Sequence, residues 1–215
     1  MLGRMLELYL LRHGQTDFSR EDRYSGSIDP PLTDIGRRMA EAFGAAYADR
    51  EWTAIYLSPT VRTHATAAPL AERTGLTPRE DEGLREISYG VFDGMTRDEA
   101  KARFPDEFAY YAADTAGRAP PGGETAFQVA ARAALSIERI KREVPSGRVL
   151  LVSHKATIRI VVCALIGLDV RLFRERIAQP VAAVTRVELG PKGALLTRLG
   201  DDAHLPPELR HLEGT

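Results

Sequence analysis

The sequence predicts an α/β fold: a three-layer sandwich in which a mainly parallel central sheet carries helices on both faces. Short, wholly apolar runs alternate along the chain with helix-length amphipathic stretches, the pattern of strands buried on both faces and joined by covering helices. Three of these runs end in polar residues, at 12–14, 58–59 and 153–155. Ligands in such sheets bind beyond the carboxyl ends of the strands. At 215 residues the chain is long enough to bury one core without disulfides or metal.

Taken in order, residues 6–11 are the first buried strand. Thr33 caps a helix in which Ile35, Met39 and Phe43 recur at four-residue spacing, with Arg37, Arg38 and Glu41 between them. Residues 54–57 are a second strand, and 60–74 a helix closed by Gly75. An Ala-rich helix over 124–143 is stopped by Pro145 and Gly147. Residues 149–152 are a third buried strand, and 156–166 a helix apolar nearly all round. Residues 181–189 and 194–199, divided by Pro191, Lys192 and Gly193, predict a late hairpin. Residues 1–200 are expected to form one domain, and 201–215, with Pro206 and Pro207, an irregular tail.

Composition narrows the function classes. Lys plus Arg (29) balance Asp plus Glu (30), which argues against a nucleic-acid partner. The single cysteine excludes an internal disulfide and Cys-rich zinc modules. The apolar runs at 6–11 and 156–168 fall short of the roughly 20 residues that span a bilayer, and no small-residue cleavage site follows the first. A cytoplasmic protein without a membrane partner is the expectation.

The strand ends carry the chemistry. Arg12, His13 and Gly14 combine a guanidinium whose fork of donors matches phosphate, an imidazole that can act as a nucleophile, and a glycine that lets the backbone approach a ligand. Read alone, they fit equally a solvated Arg–His pair at a turn. Ser58 and Pro59 lead into a helix whose first turn holds Arg62, while His64 and Thr66 read as packed or solvent-facing. Glu86 could protonate a leaving oxygen or simply pair with Arg85. Ser153, His154 and Lys155 place a second histidine at a strand end, opening a helix whose N-terminal amides favour anions. No spacing in the chain matches a metal-ligand cluster.

Together these pieces resemble the histidine phosphatase superfamily, in the branch that contains cofactor-dependent phosphoglycerate mutase and fructose-2,6-bisphosphatase. The match runs from about Leu8 to Leu189. Arg12-His13-Gly14 comes first, then Tyr24-Ser25-Gly26 with Asp29, Pro31, Leu32 and Thr33, then residues 58–67. Leu84-Arg85-Glu86-Ile87, Pro121-Gly122-Gly123-Glu124-Thr125 and Ser153-His154 follow in family order. The resemblance implies that His13 becomes phosphorylated, that Arg12, Arg62 and His154 complete the phosphate site, and that Glu86 is the proton donor. It implies that Gln15, Thr16, Tyr24, Ser25 and Gly26 line the substrate pocket. No metal or organic cofactor is implied, and the implied partner is a small phosphorylated metabolite. Oligomeric state stays open, with a homodimer the assembly common in the family.

Two positions depart from the family pattern. Ser19 stands where many members have asparagine, which shortens one polar contact to phosphate. Lys155 stands where glycine is common and adds a cation that favours an anionic substrate; it also fits a solvated lysine. The stretch from Leu84 to Gly94 and the short connection from Thr96 to Glu124 look like the bisphosphatase and small broad phosphatases rather than the mutases. A metal-independent phosphatase is therefore the expectation, with a phosphoglycerate mutase or a non-catalytic phosphate-binding module as the alternatives.

Overall fold

The computed structural model describes residues 5–210 and 212. Its strands are β1 (Leu6–Arg12), β2 (Ala54–Leu57), β3 (Arg79–Glu80), β4 (Gly147–Ser153), β5 (Val184–Gly190) and β6 (Gly193–Asp201). Its helices are α1 (Asp17–Arg20), α2 (Asp34–Tyr47), α3 (Val61–Thr74), α4 (Arg97–Arg103), α5 (Pro105–Ala113), α6 (Ala126–Glu143), α7 (Lys155–Ile166) and α8 (Phe173–Arg176). All six strands join one sheet in the order β3-β2-β4-β1-β5-β6. The first four are parallel, while β5 runs antiparallel to β1 and β6 antiparallel to β5. The expected mainly parallel sheet is present, with the late hairpin added at one edge.

The central strands are apolar through their middle positions, Leu8 to Leu11, Ala54 to Leu57 and Val149 to Val152, because each face meets helices. Leu8, Leu10, Tyr56 and Leu151 pack with Val129, Ile137 and Ile140 of α6 and Ile158 and Val162 of α7. The alternate residues Tyr9, Leu11, Ile55, Leu57, Leu150 and Val152 pack with Phe43 of α2 and Leu70 of α3. The period of two along each strand thus divides the interior into two cores. The helix ends follow their capping residues. The Thr33 side chain accepts from the Gly36 N–H, Thr125 and Gln128 form a capping box, and α3 ends at Gly75 with φ of 71°.

Two regions differ from expectation. The chain between Thr96 and Glu124 contains α4 and α5, which the apolar pattern does not announce. Asp201, the first residue of the expected tail, ends β6. Further along the tail, Leu205 and Leu209 pack with Met39, Val181 and Ala182. Residues 211 and 213–215 lie outside the described residues.

Strand order positions the site. β4 lies between β2 and β1, with Arg12 opposite Ser153 and Leu57 opposite Val152. The His13 N–H donates to the Ser153 carbonyl at 3.0 Å, and the Ser58 N–H to the Val152 carbonyl at 3.0 Å. Three strand ends distant in sequence therefore share one edge. The start of α2 closes against the loop after β1: a Cβ on Gly36 would lie 2.1 Å from the Gln15 carbonyl oxygen, and one on Gly14 would lie 2.5 Å from the Gly36 oxygen.

That contact gives a stability test with two opposed effects. Helix propensity favours alanine over glycine at an interior position by about 1 kcal/mol, whereas forcing a methyl against backbone costs about 1–3 kcal/mol. Because the nearest atoms are backbone and cannot rotate away, Gly36→Ala is expected to lower stability in urea unfolding. An unchanged or raised midpoint would show that α2 can shift freely from the loop.

Candidate active site

His13 is 7% exposed, and its Nδ1 lies 2.8 Å from the Gly14 carbonyl oxygen. A carbonyl can only accept, so Nδ1 carries the proton and the neutral ring keeps its lone pair on Nε2. Burial, and then the cations of Arg62 and Arg12, hold His13 well below the usual imidazole range, with only the Gly14 bond opposing them. The loop is fixed from behind. Thr66 Oγ1 accepts the Gly14 N–H at 3.0 Å and donates to the Arg62 carbonyl at 2.7 Å. Thr66 is thus a buried tether, whereas His64 is exposed and faces Glu80.

His154 is fully buried and stands edge-on to His13, with ring centroids 5.2 Å apart. Its Nδ1 accepts from Arg62 Nε at 3.2 Å, so the proton sits on Nε2 and points to Ser58 Oγ at 2.8 Å. Burial, then Arg62 and His13, hold this ring well below the usual range as well. Arg62, 1% exposed, also donates to the carbonyls of Ile28 and Ser25 and to Asp29 Oδ1. Neither Arg62 nor His154 lines the cavity described below; they stand behind His13, Arg62 as a cation and His154 as a neutral ring.

Arg12 does line the cavity. Its Nη1 donates to the Gln179 carbonyl at 2.9 Å, and burial lowers it to about 10. Its backbone is held by Ala183, whose neighbour Ala182 takes a left-handed φ of 53° and donates to the His13 carbonyl. Such strain in a non-glycine residue persists only where surrounding contacts enforce it.

Glu86 is not paired with Arg85, which binds Glu82 instead. Its carboxylate accepts from the N–H groups of Ile87, Ala156 and Thr157 and from the Thr157 hydroxyl, at 2.9–3.1 Å. The first turn of α7 therefore aims Glu86 at the site. Asp93, the other acidic candidate nearby in sequence, is engaged with Gly26 and Ser27 and lies off the cavity.

These groups surround a cavity of about 200 Å³ lined by Arg12, His13, Glu86, Thr16, Ser19, Tyr24, Ser25 and Lys155. Ser19 closes a capping box with Thr16 and donates its hydroxyl proton to the Thr16 carbonyl at 2.9 Å. Gln15 and Gly26 are not brought to the cavity: Gln15 Oε1 accepts from Thr33, and the Gly26 N–H donates to Asp93. Sequence reasoning misses Asp22, Arg97 and Arg174, which line it. The clustering of Arg171, Arg174 and Arg176 is the one signal that could have pointed to the last. Among the described residues no group of three or more His, Cys, Asp or Glu side chains could hold a metal ion, and no helix is long and apolar enough to cross a membrane.

The model of the histidine phosphatase superfamily, branch 1, matches residues 8–202. The chain belongs to that superfamily. It is 36% identical over 175 residues to glucosyl-3-phosphoglycerate phosphatase of Mycobacterium tuberculosis, with 78% of each chain covered. It is 29% identical over 169 residues to phosphoserine phosphatase 1 of Hydrogenobacter thermophilus, covering 79% of this chain and 80% of the relative. The solved structure of the mycobacterial glucosyl-3-phosphoglycerate phosphatase superimposes with a TM-score of 0.82 at 30% identity, covering 92% of this chain and 99% of that one. The chain is accordingly a phosphoric monoester hydrolase of the histidine phosphatase superfamily.

The two buried imidazoles link the site to stability. Both are lowered in the fold, so stability is complete above the unfolded value of about 6.5 and is lost as pH falls below it. The limiting slope is about 1.4 kcal/mol per pH unit for each ring. Urea unfolding is expected to show lower stability at pH 5 than at pH 7, while NMR shows the His13 and His154 rings still neutral across that range. Titration of either ring near pH 6.5 would contradict the buried neutral pair.

Proposed function

We propose that the protein hydrolyses a small phosphorylated metabolite through a phosphohistidine formed on His13, without a metal ion. The observation that carries this reading is the His13 ring itself. It is neutral, its Nδ1–H is fixed to Gly14, and it borders a cation-lined cavity beside Arg12.

In this reading Nε2 attacks phosphorus in line with the ester oxygen. The P–O bond to the alcohol breaks as the N–P bond forms. Arg12 neutralises the equatorial oxygens, with the Arg62 and His154 backing behind the ring, since such transfers are accelerated chiefly by positioning and charge stabilisation. Glu86, entering the step protonated, gives that proton to the departing oxygen, and the resulting carboxylate takes one from the water that attacks phosphorus and releases His13. The fixed Nδ1–H stays on the ring throughout and lets the Gly14 carbonyl stabilise the positive charge that develops there. The relatives named as phosphoserine and glucosyl-3-phosphoglycerate phosphatases support a small phosphorylated metabolite as the substrate class.

Glu86→Gln separates the proposed roles. An alkyl phosphate expels an alkoxide that needs a proton in the transition state, whereas nitrophenyl phosphate expels a stable phenolate. General acid catalysis is worth roughly 10²- to 10⁴-fold. In rapid-quench measurements of phosphoenzyme formation, the variant is expected to slow the alkyl ester by at least that lower figure and the nitrophenyl ester far less. Equal slowing of both would remove Glu86 from the donor role. Activity is also expected to persist in excess EDTA; loss that a divalent ion restores would overturn the metal-free reading. A requirement for bisphosphoglycerate, with phosphate returned to an acceptor rather than to water, would mark a mutase instead.

A further inference from the structure

Glu86 stands on a stretch of chain that belongs to none of the six strands, between two short 3-10 turns at Glu82–Leu84 and Gly90–Phe92. Its main-chain groups must therefore find partners outside a sheet ladder. The Leu84 carbonyl accepts from the Ser153 hydroxyl at 2.7 Å, and the Arg85 carbonyl from the Thr157 hydroxyl at 2.6 Å. Gly83, Glu86 and Ser88 turn instead to one ion pair. Arg132 of α6 donates through Nη1 to the Gly83 carbonyl at 2.8 Å and through Nη2 to the Glu86 carbonyl at 3.1 Å. The same guanidinium grips Glu124 at two points, Nε to Oε1 at 3.0 Å and Nη2 to Oε2 at 3.1 Å. Glu124 in turn accepts the Ser88 N–H on Oε2 at 3.0 Å and donates its own N–H to the Ser88 carbonyl at 2.9 Å.

Neither Arg132 nor Glu124 lines the cavity beside His13, so the pair can reach the chemistry only through the chain it holds. What it holds is the backbone from which Glu86 reaches the site. Glu86 Oε1 is occupied by the N–H groups of Ile87 and Thr157 and by the Thr157 hydroxyl, whereas Oε2 accepts from the Ala156 N–H and keeps a lone pair for a proton. A shift of the Glu86 main chain moves both oxygens. Misplacing a reacting group by about 1 Å can cost roughly 10²-fold in rate.

We infer that Arg132 and Glu124 are positioning residues for Glu86: the pair clamps residues 83–88 against α6 so that Glu86 Oε2 is presented to the departing oxygen. This rests on the reading of Glu86 as the proton donor. In the step itself the Oε2–H bond breaks and the proton passes to the ester oxygen as the P–O bond opens; Arg132 and Glu124 exchange no proton and touch no substrate.

Arg132→Lys tests the clamp. Lysine keeps the positive charge, which also acts on His154, but lacks the planar fork that serves two carbonyls and a carboxylate at once. The first readout is amide-resolved hydrogen exchange. Ala156 and Thr157 lie in the first turn of α7, where N–H groups have no intrahelical acceptor, so their protection reports the Glu86 carboxylate. Arg132→Lys is expected to speed their exchange about tenfold or more and to leave the amides of β4 unchanged. The second readout is phosphoenzyme formation in rapid quench. The variant is expected to slow an alkyl ester about tenfold and nitrophenyl phosphate less than about threefold, and to add no further slowing in a Glu86→Gln background. Glu124→Ala is expected to behave like Arg132→Lys, and Glu124→Gln, which keeps an acceptor for Ser88, to recover part of the loss. Unchanged exchange at Ala156 and Thr157, equal slowing of both esters, or slowing that persists undiminished without the Glu86 carboxylate would overturn the clamp. Faster exchange in Arg132→Lys, with Glu86→Gln itself showing no contrast between the esters, would instead remove Glu86 from the donor role and leave the clamp on its carboxylate standing.

Discussion

The hydrogen bond from His13 Nδ1 to the carbonyl of Gly14 is the constraint on which the site depends. It selects the tautomer whose Nε2 keeps its lone pair, as the proposed attack requires, and it holds only while Gly14 stays where it is. Thr66 Oγ1 grips the Gly14 N–H, the start of α2 closes on the same loop through Gly36, and Ala182 accepts a strained conformation to bind the His13 carbonyl. Three separate elements thus converge on two backbone groups. The surroundings act on the ring this geometry has fixed: burial disfavours imidazolium, and the cations of Arg62 and Arg12 reinforce it.

The sheet makes this convergence inexpensive. With β4 between β1 and β2, the ends that bear His13, Ser58 and His154 fall side by side without long loops. The helix after β4 then serves two purposes. Its first amides hold the Glu86 carboxylate, and one turn of its surface presents Lys155 and Arg159 to the cavity. A single strand-to-helix junction therefore links the Glu86 carboxylate, the histidine behind His13 and two of the cations that line the cavity.

Much of this was legible in the sequence because strand ends are short-range features. An apolar run followed by Arg12, His13 and Gly14, or by Ser153 and His154, marks the residues wherever the strands lie in the sheet. The positions of Gln15 and Gly26 were less legible. Their neighbours in sequence do line the cavity, but Gln15 is turned toward Thr33 and the Gly26 N–H toward Asp93; sequence adjacency does not say which way a loop residue faces. Arg174 and Arg97 were missed for the opposite reason. They reach the cavity from helices far along the chain, and only the packing of those helices shows it. Thr66, read as a packed or solvent-facing helix residue, gains its role from contact with a loop 52 positions away.

The direct test of the account is to find the phosphoryl group. The protein is mixed with excess phosphomonoester, quenched within milliseconds in alkali, where phosphohistidine survives, and digested for mass spectrometry, with ³¹P NMR of the intact quenched protein to assign the ring nitrogen. The account predicts phosphate on His13 alone, bonded to Nε2, and none on His154. Label on His154, attachment at Nδ1 of His13, or turnover with no trapped phosphoprotein under conditions that slow dephosphorylation would contradict it.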